Sequence, residues 1–348
     1  MCAGLHGSEE AGHRMRPTIV LVMAPALTVD LFDDSLLDRL RGVGELPDAV
    51  PLARFDDPRA DDLLARADVL LTSWGCPLLD DAALSLAPRL RLVAHAAGTV
   101  KQHVTPACFA RGLLVTSAAA ANALPVAEYT VAAILFANKK LFRLRERYRE
   151  VRGFRYWPNE TPGLGNYGKV VGIVGASHIG RRVLELLRPF DLQRLLYDPF
   201  VDATSARTLG AEKVELDVLL ARSDVVSLHA PSLPETRHMI DGRRLALLRD
   251  GATLVNTARG ALIDAVALER ELVSGRLDAV IDTTEPEILP ANSPLYDLPN
   301  VFLTPHVAGS LGSETRRMAE MAVAEIERFA RGEPLRHAVA AIDLARVA

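Results

Sequence analysis

The sequence predicts an α/β protein built from two doubly wound parallel-sheet domains. Three observations carry this. The chain has 348 residues, and at roughly 150 residues per domain that length asks for about two. Apolar residues make up 49% and charged residues 24%, a composition that buries a large core without staples and excludes disordered or fibrous chains. Short β-branched or Leu-rich runs also alternate with longer amphipathic stretches in two successive series, as parallel strands joined by helical crossovers do.

The first series is IVLVMA (19–24), DVLLTS (68–73), RLVAH (91–95) and LLVTS (113–117). A helical stretch follows from Pro125 to Arg149, and then GFRYWPNETPGLGNYG, whose Gly and Pro content reads as a connecting arm. The second series runs VVGIVG (170–175), RLLYD (194–198), DVVSLH (224–229), ATLVNT (252–257), LDAVID (277–282) and VFLTP (301–305). Last comes a helix over Ser313 to Arg331, apolar at Met318, Met321, Ala322, Ile326 and Phe329 and stopped at Gly332-Glu333-Pro334. One helix is no domain, so this tail is expected to return to one of the two units. The expected division is 16–121 plus 310–348 for one domain and 122–309 for the other. Residues 1–15 lack the continuous apolar run of a signal peptide and are expected to be a frayed tail.

Forty basic against 44 acidic side chains give a net charge of −4. No global basic field exists for nucleic acid or an acidic membrane, so the expected partner is a small molecule. Cys2, Cys76 and Cys108 are too few and too scattered for a disulfide framework or a Cys-based metal site, which points to a reducing, cytoplasmic setting. The longest charge-free stretch, Gly112 to Ala127, is broken by Asn122 and Pro125 and ended by Glu128, so no transmembrane helix is expected. Basic residues crowd Lys139 to Arg155, but Glu146 and Glu150 interrupt them and helical spacing spreads them over several faces, which reads as a solvated or subunit-contacting helix.

Gly175-Ala176-Ser177-His178-Ile179-Gly180 follows the strand VVGIV and opens a helix with apolar Ile179, Val183, Leu186, Leu187 and Phe190. Strand, tight turn and helix make a Rossmann dinucleotide site, in which the first Gly turns, the second admits pyrophosphate and the third lets helix and strand pack. Ser177 stands at the second position; its hydroxyl could donate to phosphate, and the helix N-terminus offers free N–H groups. Asp198 ends the next strand, 18 residues past Gly180, where an acid accepts the ribose hydroxyls of NAD and repels a 2′-phosphate. Pro199, Phe200 and Val201 supply no Arg for such a phosphate, so NAD is preferred to NADP. The plainer alternative makes Asp198 a turn former before Pro199.

SDVVSLHAPSLPETRHMI (223–240), GATLVNTARGALID (251–264), DTTEPEILP (282–290) and LTPHVAGS (303–310), in this order, resemble the D-2-hydroxyacid dehydrogenase family, and NALPVAEYTVAAIL (122–135) is similar to that family's Asn-containing hinge and helix. The resemblance covers most of the chain. It implies a flavodoxin-like substrate domain, a Rossmann NAD-binding domain, a cleft between them and a homodimer. It also implies three catalytic residues: Arg259 to hold the substrate carboxylate, His306 as acid/base and Glu287 to fix its ring. Each role makes chemical sense. Reduction of a 2-keto acid needs a proton on the carbonyl oxygen, which histidine is suited to move near neutrality, and Arg offers a planar fork to a carboxylate. Members that oxidise formate carry Gln at the position of Glu287, so the Glu favours hydroxy-acid chemistry.

By the same resemblance Asp282 meets the nicotinamide carboxamide, and His229, Pro231, Thr236, Thr257, Ala258 and Gly309 border the cofactor. Ala97, Gly98 and Thr99 of HAAGTVK are expected to offer backbone N–H groups to the substrate, while Trp74 either walls the site or simply packs. The chain departs from the family pattern at Ser177, at Thr99-Val100-Lys101 and in an Arg259-to-Glu287 spacing one residue short. The implied activity is interconversion of a small 2-keto acid, such as glyoxylate or hydroxypyruvate, with its D-2-hydroxy acid. The alternatives are a non-catalytic NAD-sensing corepressor and an oxidase of phosphite or formate on the same fold.

Overall fold

The structure, a computed structural model, describes residues 16–161 and 163–344. Residues 1–15, with Cys2 and the expected frayed tail, lie outside the described residues. The chain divides into two compact units, one holding 16–121 and 312–344 and the other 122–311.

The first unit carries β1 (Ile19–Val22), β2 (Val69–Thr72), β3 (Leu92–His95) and β4 (Leu114–Ser117), all parallel and hydrogen-bonded in that order. β1 has a further neighbour that the sequence pattern did not reveal. Glu45 and Leu52 pair with it in parallel through single bridges, Met23 N donating to Leu52 O at 3.0 Å. With this irregular segment counted, the spatial order becomes 2-1-3-4-5, that of flavodoxin-like sheets. Burial on both faces explains the unbroken apolar runs. Val20 and Val22 point into one core layer with Leu52, Leu64 and Val93, whereas Ile19, Leu21 and Met23 point into the other. The helix Thr315–Ala330 closes that second layer with Ala319, Ala322, Val323, Ile326 and Phe329, so the C-terminal run belongs to the first unit.

The second unit carries β5 (Val170–Val174), β6 (Gln193–Tyr197), β7 (Glu212–Lys213), β8 (Val225–Leu228), β9 (Thr253–Asn256), β10 (Asp278–Ile281) and β11 (Val301–Leu303). Their order is β11-β10-β9-β8-β5-β6-β7, all parallel. This is the doubly wound arrangement, and its order reverses between β5 and β8, where ligands bind beyond the carboxyl ends of the strands. β7 went unpredicted because two residues, Glu and Lys, carry no apolar signal.

The helix expected from Pro125 starts earlier, at Ala119, and runs to Asn138 with the proline inside it. Proline favours a first turn because it lacks an N–H, so the sequence signal pointed too late. By length and composition alone this helix could cross a bilayer, yet Ala127, Ala133, Ile134 and Ala137 are buried in the core of the second unit. Left-handed Lys140 separates it from the helix Leu141–Val151. There the basic run is largely paired: Lys140 Nζ meets the carboxylate of buried Asp278 at 2.9 Å, Arg143 joins the same carboxylate, and Arg147 pairs with Glu150 at 3.0 Å.

Candidate active site

The dinucleotide turn is set by β5 and the helix His178–Leu186. Gly175 has φ +98°, and a Cβ there would lie 2.7 Å from Ala230 N and 2.8 Å from His229 C. A Cβ on Gly180 would collide with Gly175 O, so this glycine is what lets helix and strand pack closely. Ser177 replaces a glycine without strain. Its φ of −61° and ψ of 178° are ordinary extended backbone, and its Oγ accepts from Gly180 N as the helix N-cap. His178 and Ile179 form the first turn beyond it.

Asp198 follows β6, and its two carboxylate oxygens accept from Ala176 N at 2.7 Å and Phe200 N at 2.8 Å. The acid thus holds the glycine turn, and each of its oxygens keeps a lone pair for a further donor. His229 ends β8 beneath the turn, with its imidazole nitrogen Nε2 2.9 Å from Ser227 Oγ. Burial pushes its pKa down to about 3, so the ring is neutral. Its Nδ1 is buried and has no partner among the described residues. Thr236 Oγ1 donates to Pro231 O at 2.6 Å and braces the loop that follows. Two glycines with no room for a Cβ, a helix N-terminus just beyond the turn, an acid after β6 and a buried ring nitrogen with no partner among the described residues together fit a dinucleotide.

Arg259, Glu287 and His306 come from the loops after β9, β10 and β11. The buried side chain of Asn256 shapes the first loop: its Nδ2 donates to Arg259 O at 3.0 Å and its Oδ1 accepts from Ala258 N at 3.1 Å. Thr257 is pinned by Thr130 Oγ1 at 3.0 Å. Burial pushes the Arg259 guanidinium below its usual value, and the charge of Glu287 opposes this. Gly260 lies so close to the Thr284–Glu285 peptide that no Cβ fits between them.

His306 Nδ1 lies 2.5 Å from Glu287 Oε1. A carboxylate only accepts, so this bond puts the ring proton on Nδ1. His306 sits at φ +55°, left-handed backbone that costs an ordinary residue roughly 1–2 kcal/mol. Asp282, 2% exposed, holds it there. Its backbone oxygen accepts from His306 N at 2.9 Å, and its carboxylate accepts from Thr304 Oγ1 at 2.6 Å, Val307 N at 2.8 Å and Ala308 N at 3.0 Å. Asn122 Oδ1 accepts from Ser310 N at 2.9 Å beside Gly309, anchoring the far end of the loop.

The structure therefore gathers every residue assigned to catalysis or cofactor into the second unit. The four substrate assignments fall in the first unit. Ala97, Gly98 and Thr99 follow β3, with Ala97 O accepting from Ala118 N at 3.1 Å and Gly98 O from Ser117 Oγ at 2.5 Å. Trp74 packs against Ala118, Ala121 and Met318. Sequence reasoning missed Asn256, Thr304 and Tyr129. For Asn256 and Thr304 the available signal was a polar residue at the carboxyl end of an apolar strand, just before TARG and inside TPH; Tyr129, within the helix Ala119–Asn138, gave none.

Residues 131–308 match the family described as D-isomer specific 2-hydroxyacid dehydrogenase, NAD binding domain. The chain belongs to the D-isomer specific 2-hydroxyacid dehydrogenase family. D-3-phosphoglycerate dehydrogenase of Mycobacterium tuberculosis is 36% identical over 295 residues, 83% of this chain and 54% of that protein. The chain thus spans about half the length of such relatives. Glyoxylate reductase of Aeropyrum pernix is 35% identical over 292 residues, 80% of this chain and 86% of that protein. Among solved structures, D-lactate dehydrogenase from Aquifex aeolicus, complexed with NAD and lactic acid, matches with a TM-score of 0.68 and 26% identity over 91% of this chain and 96% of that one. The family's NAD-binding domain coincides with the unit that holds the glycine turn and Asp198.

Proposed function

We propose that the protein is an NAD-dependent oxidoreductase that interconverts a small 2-keto acid with its D-2-hydroxy acid. The observation that carries this reading is the 2.5 Å bond between His306 Nδ1 and Glu287, on the loops after β11 and β10, the second of which follows the strand next to β9, whose loop bears Arg259. When bound, NADH supplies the hydride. The chain's residues do the rest. Gly175 turns the chain and Gly180 lets the helix pack on the strand, so that the N-terminus of His178–Leu186 would face the pyrophosphate and Asp198 would take the ribose hydroxyls. Arg259 grips the substrate carboxylate with two parallel donors and polarises the carbonyl. Glu287 fixes the His306 ring through Nδ1, leaving Nε2 to hand a proton to the substrate oxygen in reduction and to take it back in oxidation. The backbone amides of Ala97, Gly98 and Thr99 are our candidates for further substrate contacts. A small, polar substrate such as glyoxylate or hydroxypyruvate fits the glyoxylate reductase relative.

We also infer a homodimer in a reducing, cytoplasmic setting, with neither nucleic acid nor membrane as partner. Tyr148, Phe154, Tyr156 and Tyr167 are 60–89% exposed along the helix Leu141–Val151 and the arm after it, which supports an interface there. Light scattering behind size exclusion is expected to give twice the chain mass, and a stable monomer would overturn the claim. The enzymatic reading is tested by NADH oxidation against a panel of 2-keto acids from glyoxylate to aromatic ones, with His306→Ala as control. Turnover is expected to fall at least about 100-fold in the variant while NADH binding stays intact. NADH binding with no turnover of any 2-keto acid would refute it.

A further inference from the structure

The His306 loop hangs on one buried carboxylate, and that carboxylate is itself held from the helix Ala119–Asn138. Tyr129 OH lies 2.8 Å from Thr304 Oγ1, which lies 2.6 Å from Asp282 Oδ1. The direction of both bonds follows from chemistry. Asp282 can only accept, so the single hydroxyl hydrogen of Thr304 is committed to it, and Tyr129 must donate to Thr304. Oδ1 also accepts from Val307 N, and Oδ2 from Ala308 N. His306 therefore lies between contacts at 304 and at 307–308 that all converge on Asp282.

The helix touches the same segment at both ends, through Tyr129 at Thr304 and Asn122 at Ser310. Desolvation and the Asp282 charge both push the Tyr129 phenol upward, more than its bond to Thr304 pulls it down, which favours the protonated, donating form. Nothing in the proposed chemistry uses this phenol directly.

We infer that Tyr129 is a positioning residue: its hydroxyl, acting through Thr304 and Asp282, fixes the left-handed backbone at His306 and thereby the registration of the ring on Glu287. The inference rests on reading His306 as the proton-transfer group, and its test has one arm that needs no turnover.

Tyr129→Phe and Thr304→Val each delete one hydrogen-bonding oxygen at nearly constant shape, and Thr304→Ser keeps the hydroxyl. With histidine labelled in its ring nitrogens and His306 assigned through His306→Asn, NMR reads the share of the Nδ1-protonated tautomer. That share is expected to drop in Tyr129→Phe and Thr304→Val and to be kept in Thr304→Ser. In turnover, kcat is expected to fall about 3- to 10-fold in the first two variants, a fraction of the roughly 100-fold that a full ångström of misplacement costs. KM and the NADH dissociation constant should stay within about twofold, because only transition-state contacts are lost. The double variant should lose no more than the worse single one, since the two groups act in series.

An unchanged tautomer with kcat within about 1.5-fold of the parent would overturn the inference, as would a loss in Thr304→Ser equal to that in Thr304→Val. If the parent turns over no 2-keto acid, the activity reading fails, and the nitrogen spectra alone decide whether Tyr129 positions the ring.

Discussion

Gly260→Ala probes how tightly the three catalytic loops are set against one another. The new Cβ would come well inside 3.0 Å of the carbonyl carbon and oxygen of Thr284 and of Glu285 N. These are backbone atoms that cannot rotate away. Gly260 is not in the left-handed region, so the penalty is one of space alone. Restoring ordinary van der Waals separation requires about 1 Å of movement. Either the turn bearing Arg259 shifts or the segment leading to Glu287 does. A displacement of that size costs about 100-fold in rate. Overpacking costs roughly 1–3 kcal/mol, which for a unit of this length lowers Tm by about 2–12 °C. Steady-state kinetics on the best 2-keto acid, beside calorimetry, reads both. A variant that keeps more than a third of the parent kcat with unchanged Tm would show that the loops are not in close register.

Glu287→Gln removes the charge facing Nδ1 and should lower kcat about 10-fold or more, while NADH affinity, read by fluorescence, stays put; equal kcat in parent and variant would remove Glu287 from the mechanism. NADH should be favoured over NADPH in kcat/KM, and Asp198→Ala should erase most of the preference; equal values in the parent would refute the ribose contact. Acid should weaken the protein through two buried histidines. His95 is held at a pKa of about 3 by burial and by His103 beside it, and His229 at about 3 by burial. In the unfolded chain each takes its proton near 6.5. Their stabilising contribution is therefore complete above that pH and shrinks as pH falls toward 3, by about 1.4 kcal/mol per pH unit for each ring. Urea midpoints at pH 7.5 and about 5.5 measure it, and a pH-independent midpoint would refute neutral, desolvated rings.

Strands with both faces buried announced themselves, because an apolar run such as Val69–Thr72 or Thr253–Asn256 needs no period to be read. The segment from Glu45 to Leu52 did not, since it touches β1 through isolated bridges and has no pattern of its own. At the site, side chains that do chemistry were legible as motifs. Those that position them were not: Asn256 matters for the backbone groups it reaches and Thr304 for the Asp282 carboxylate and Tyr129 hydroxyl it joins, and both depend on loop geometry no spacing encodes. Tyr129 lies 175 residues from its partner. Ser177 was legible as a departure, but its harmlessness was not, because only the extended φ and the capping bond reveal why a side chain is tolerated there.

The placement of Thr315–Ala330 bears on how the chain matures on the ribosome. The second unit lies wholly within 122–311, so all its strands have been made before the last helix of the first unit exists. The first sheet has all four of its strands by residue 117, yet the layer containing Ile19, Leu21 and Met23 lacks its cover until Phe329 has been added. At roughly 5–20 residues per second, the roughly 200 residues in between take on the order of ten to forty seconds to add. During that interval the nascent first unit lacks the helix that covers this apolar layer, while the second unit already has all its strands.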